Sequence, residues 1–126
     1  MTVTVTGLYA APLAVLFIVL SARVITYRRG NAISLGDGGD AVLLARMRAQ
    51  GNFAEYAPFG LILMLIAEIQ GSAHVWLHIC GALLLAGRLL HGINFSFALR
   101  DMRLRVGGMV LTLTSLALGV VLCLPF

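Results

Sequence analysis

The sequence predicts an all-α membrane protein, a single domain over residues 1–126 with four transmembrane helices in an antiparallel bundle. Three observations predict it. Hydrophobic residues make up 60% of the chain and charged residues only 11%, where a soluble domain averages about 25% charged. Four apolar runs of roughly 20 residues each are long enough to cross a hydrocarbon core of about 30 Å. The connections between the runs alternate in charge: the first and third hold arginines and the second holds none. All nine basic residues are arginine and the net charge is +4. A nucleic-acid binder would carry such a surplus as a basic stripe on a soluble fold. Here the arginines fall in two clusters beside apolar spans, which points to membrane orientation and anion binding.

The first span covers about residues 8–27. The uncharged stretch before it lacks the basic region of a cleaved signal peptide. Pro12 lies in the first turns, where a missing N–H does least harm. Arg23 stands one turn inside the end and can snorkel to the interface. Arg28-Arg29-Gly30-Asn31 ends the span, and a glycine-rich turn region follows. Asp40 is placed to cap the second span, residues 41–69. Within that span Pro58 removes the bond to the Ala54 carbonyl, so a kink is expected beside Glu55 and Tyr56. Glu68 reads as a solvated charge at the helix end.

A short uncharged connection leads to the third span, about 74–94, which carries His78, Arg88 and His91. Residues 95–105 read as a compact loop with Arg100, Asp101, Arg103 and Arg105, and the fourth span covers about 106–124. Gly81, Gly87, Gly92, Gly107 and Gly108 suit close approach of membrane helices. Cys80 and Cys123 lie inside apolar runs and read as packing residues, with no redox or metal spacing. By the positive-inside rule the arginine-rich connections are cytoplasmic and both termini are outside.

The second span opens on a polar face. Arg48, Asn52, Glu55 and Tyr56 recur at i, i+4, i+7 and i+8, one stripe of a helix with ~3.6 residues per turn. Polar groups at this depth are costly unless they face protein, water or a ligand. The alternating topology brings Arg28, Arg48, the region of His91 and Arg105 to one level. Plainer readings stand beside this one. Arg48 and Glu55 can form a structural ion pair, Tyr56 can be an interface aromatic, and Arg28, Arg29, Arg100 and Arg103 can simply set topology. His78 and His91 fit packing roles, since no metal spacing supports them. Arg88 with His91 can pair with Glu55 of a neighbouring helix. A small proton-coupled exporter is disfavoured, because its coupling acid would lie deep in a span.

The run Arg48-Ala49-Gln50-Gly51-Asn52-Phe53-Ala54-Glu55-Tyr56-Ala57-Pro58 resembles the second-helix signature of the MAPEG superfamily, the membrane-associated proteins of eicosanoid and glutathione metabolism. Gly87-Arg88-Leu89-Leu90-His91 resembles its third-helix signature, and the resemblance covers nearly the whole chain. It implies a homotrimer, seated in lipid, with glutathione as co-substrate bound between neighbouring subunits and no metal. Glutathione-binding roles map onto Arg48, Gln50, Asn52, Glu55 and Tyr56, with Arg28 and its neighbour Arg29 from the first helix and Arg88 and His91 from the third. The arginine that stabilises the thiolate maps onto Arg105, with Arg103 the near competitor. The implied activity is a bacterial inner-membrane glutathione transferase or peroxidase acting on hydrophobic electrophiles or lipid hydroperoxides. A non-catalytic glutathione- or lipid-binding scaffold of the same fold is the alternative. Eicosanoid-making members carry a tyrosine where Phe95 stands here, which argues against an eicosanoid synthase.

The chemistry agrees with the residue types. Arginine forks bind carboxylates through paired, charge-assisted bonds. Glu55 offers an acceptor for an amine, and Asn52 and Gln50 offer amide contacts. A cation such as Arg105 lowers a thiol's ordinary value of about 8.5 and favours the thiolate.

Overall fold

A computed structural model describes residues 2–97 and 99–125. The chain forms four α-helices: α1 Val5–Gly30, α2 Ala41–Ile69, α3 His74–Ser96 and α4 Met102–Cys123. Each is long and apolar enough to cross a membrane, and the described residues include no strand. α2 and α3 form the middle of the bundle. α1 packs on both of them and α4 does the same, with no direct α1–α4 backbone approach among the described residues.

The interior is built where apolar faces of three helices converge. Leu13 and Leu20 of α1 meet Ala49, Phe53 and Ala57 of α2 and Leu84 of α3. Phe17 and Phe53 stack with centroids 5.4 Å apart. A second cluster of Val5, Ala67 and Leu77 fills the end nearest the α2–α3 connection. The outward positions are apolar too: Val15, Ile18, Phe59, Ile62, Val110 and Leu113 are all exposed. An apolar exterior around a bundle whose backbone bonds close within each helix is what a lipid solvent permits.

Two aspartates start helices. Asp40 accepts from the Val42 and Leu43 N–H groups at 2.9 and 3.1 Å, satisfying two free donors of the first turn. The Tyr27 hydroxyl also donates to it at 2.7 Å, and this bond and those from the backbone hold its carboxyl below the ordinary value. Asp101 accepts from Arg103 N–H at 2.8 Å. That cap starts α4 at Met102, so Arg103 and Arg105 stand in the first turn of a helix and not in the connecting loop expected from sequence. Between α3 and α4, Arg100 takes a left-handed backbone (φ 53°), uncommon for a residue with a Cβ.

Glu68 overturns the expectation of a solvated charge. It is only 7% exposed, and its carboxylate accepts the Thr4, Val5 and Thr6 N–H groups, each at 2.8 Å. An acid from the end of α2 thus satisfies free donors at the start of α1 and meets its positive dipole end. Arg23 donates to the Ser96 hydroxyl at 2.5 Å and carbonyl at 3.0 Å, tying α1 to the end of α3. The two cysteines are free. The Cys80 thiol lies against Ser115, and the Cys123 thiol donates to the Leu63 carbonyl at 3.2 Å.

α3 and α4 approach most closely at Gly87 and Gly108. A Cβ on Gly87 would lie 2.5 Å from Thr112 Oγ1 and 2.7 Å from the Gly108 carbonyl oxygen. One on Gly108 would lie 2.9 Å from the Gly87 carbonyl oxygen. Gly107 has nothing within 4 Å of such an atom, so it takes no part in the approach.

Candidate functional site

The polar stripe of α2 divides by depth. Arg48 and Glu55 form an ion pair at 3.7 Å with side chains 52% and 54% exposed. The next residues along the same face turn inward: Tyr56 is half-buried, and Asn52 is 9% exposed. The adjoining face of the helix carries Ala49, Phe53 and Ala57 into the core. The stripe is therefore amphipathic within a single turn. Its ionised members stay accessible and its neutral amide is packed.

Arg88 of α3 lies beneath the stripe and is 1% exposed. Its Nη1 donates to the Asn52 side-chain oxygen and, at 3.3 Å, to the Asn52 carbonyl. Its Nε donates to Thr112 Oγ1 at 3.0 Å and its Nη2 to the Met109 sulfur at 3.3 Å. The Tyr56 ring covers the guanidinium, 5.5 Å from the central carbon to the centroid, a distance at which the ring's negative face attracts a cation. The sequence left open a pairing of Arg88 with Glu55. The structure pairs it with Asn52 instead, while Glu55 pairs with Arg48.

His91, one turn along α3, is 4% exposed and stacks on Phe95 with centroids 4.6 Å apart. Its Nδ1 has no partner among the described residues. Arg105 is exposed and lies over the other aromatic of the stack, 5.4 Å from the Phe95 centroid.

Beside Arg105 opens a cavity of about 350 Å³. Phe95, Arg100, Met102 and Arg105 line one side, and Ala41, Val42 and Ala45 of α2 line the other. Ala41 and Ala45 lead by helical spacing to Arg48, so the cavity wall and the polar stripe share one face of α2. Arg103 does not line this cavity.

The remaining candidates stand elsewhere. Gln50 is about 200° from Arg48 around α2, and its amide donates to Ser21 of α1 at 3.1 Å. Arg28 donates to the Gly36 carbonyl at 2.7 Å and to the Met47 sulfur at 3.4 Å, and Arg29 is exposed. One chain thus brings Arg48, Asn52, Glu55, Tyr56, Arg88, His91 and Arg105 toward the α3–α4 side of α2. It leaves Arg28, Arg29 and Gln50 on the α1 side.

The family model for the MAPEG family matches residues 6–125. The chain belongs to the MAPEG family. Inner membrane protein YecN of Escherichia coli strain K12 is 40% identical to this MAPEG chain over 116 residues, 92% of the chain and 87% of that protein. Inner membrane protein YecN of Escherichia coli O6:H1 strain CFT073 matches with the same figures.

Two residues of the candidate site in this MAPEG chain went unread in the sequence, Thr112 and Met109, which hold Arg88 from α4. A signal existed: Gly108, Thr112, Ser115 and Gly119 recur at i, i+4, i+7 and i+11, and all four are buried. Small and hydroxyl residues on one face of an apolar helix mark the side that meets another helix.

Proposed function

We propose that this MAPEG protein is a bacterial inner-membrane glutathione transferase or peroxidase. It would join the glutathione thiolate to hydrophobic electrophiles or use it to reduce lipid hydroperoxides. The observation that carries the reading is the Arg48–Glu55 pair. The other exposed side chains of α2 are apolar, yet these two stay half exposed in a span that lipid surrounds. Exposed opposite charges at that level suit a ligand that carries both carboxylate and amine, as glutathione does.

In this reading Arg48 grips a carboxylate, Glu55 accepts from the amine, and Asn52 and Tyr56 position the peptide. Arg105 stabilises the thiolate by its positive charge at the mouth of an apolar cavity. Its place over Phe95 and on the cavity wall favours it over Arg103. The sulfur then reacts by charge stabilisation and positioning, without a general base.

Arg28, Arg29 and Gln50 complete the site from a second copy. Their place on the α1 side of α2 supports a homotrimer in which each ligand bridges two chains. The arginine-rich connections lie on the cytoplasmic side, with both termini outside.

Glutathione titrated into purified protein, read by calorimetry and by ultraviolet absorbance of the bound thiolate, tests the reading. Binding with thiolate absorbance is expected. Arg105→Ala is expected to remove turnover of a standard aryl halide by about 100-fold or more while assembly persists. Unchanged turnover refutes the role of Arg105. Binding without thiolate absorbance favours the non-catalytic scaffold. One feature already leans that way: Phe95, stacked on His91, brings no phenol to the site.

A further inference from the structure

Arg88 carries a full charge inside the bundle, and no carboxylate among the described residues pairs with it. An unpaired buried cation is costly, so its partners bear on what the site can accept. A guanidinium has donors and no acceptor. It can therefore engage the Asn52 amide only through the oxygen, and it does. The rest of Arg88 is anchored as well: Nε to Thr112, Nη2 to Met109, and the plane beneath the Tyr56 ring. Thr112 is in turn fixed, donating its hydroxyl proton to the Gly108 carbonyl at 2.8 Å. Amide rotation at Asn52 is closed off, because the flipped amide would point NH2 at a donor.

The consequence falls on the other end of the amide. Asn52 Nδ2 has no hydrogen-bond partner among the described residues, and it is not one of the buried atoms left without a partner. It is a donor whose amide is held at its oxygen end, on the helix face that also carries the exposed Arg48–Glu55 pair.

We infer that Arg88 is a positioning residue that locks the Asn52 amide with its NH2 toward the site, so that the ligand must present an acceptor, a carboxylate or a peptide carbonyl, at that point. The inference rests on the proposed glutathione site and adds a polarity to one contact in it. It also gives Thr112, on a different helix from Asn52, a place in specificity.

The test uses the purified full-length protein and glutathione itself. Asn52→Asp keeps the shape and gives Arg88 a carboxylate, but the outward atom becomes a negatively charged acceptor. Its thermal midpoint is expected to equal or exceed that of the wild type, while the dissociation constant for glutathione rises about tenfold or more. A merely structural contact would move the two readouts together. Thr112→Val loosens Arg88 from α4 and is expected to weaken glutathione about threefold, with Thr112→Ser restoring it. This pair decides the matter if Asn52→Asp does not fold. Glutathione binding by Asn52→Asp within about twofold of wild type, or unchanged binding by Thr112→Val, overturns the inference and leaves the glutathione reading standing. A wild-type protein that binds no glutathione overturns both.

Discussion

Glu68 takes three backbone N–H groups at the start of α1, those of Thr4, Val5 and Thr6, on two carboxylate oxygens. A glutamine there has one acceptor oxygen, and its NH2 would face donors. Glu68→Gln is therefore expected to cost about 1–3 kcal/mol, seen as a lower unfolding midpoint in detergent with glutathione affinity unchanged. A midpoint equal to wild type would show that water satisfies the same donors. Asp40 was legible in the sequence because a cap serves residues two and three positions on. Glu68 was not, because its partners lie 62 to 64 positions away, and only the rotation of α2 against α1 decides whether the acid faces water or a helix end. Arg88 shows the same limit. The sequence offered it Glu55 of a neighbouring helix as a partner, but Asn52 and Glu55 differ by less than one turn of α2, and the structure pairs it with Asn52.

At the scale of the helix, the span positions and the polar stripe of α2 were readable from hydropathy and period alone. The packing of α3 on α4 was half readable. Glycines in both helices signalled close approach, yet Gly107 and Gly108 are neighbours in sequence and only Gly108 meets the partner backbone. Gly87→Ala is expected to destabilise by about 1–3 kcal/mol, since overpacking must push the helices apart. It should also weaken glutathione, because Thr112 would carry Arg88 with it. Gly107→Ala is expected to be neutral or mildly stabilising, by up to about 1 kcal/mol, from helix propensity. Thermal unfolding of the two variants side by side checks this, and equal midpoints would refute the assigned contact.

For the whole molecule, one chain divides the expected ligand residues between two sides of α2. Helical period already sets Arg48 and Gln50, two positions apart in the motif, on opposed sides of the helix; what the sequence could not show is that the Gln50 side meets Ser21 of α1. A trimer that joins the two sides makes a sharp expectation. Sedimentation in detergent should give three times the 13.4 kDa chain mass, and a C-terminal reporter should be active only outside the cytoplasm. A monomer that binds glutathione with full affinity would sink the shared site.

The grip of Glu68 on the start of α1 has one more consequence. The chain between α1 and α2 closes that pair at one end, and the carboxylate closes it at the other. The Glu68 bonds themselves run only between α2 and the start of α1. The two helices are therefore joined by polar links at both ends, and α3 completes the apolar interior between them through Leu77 and Leu84.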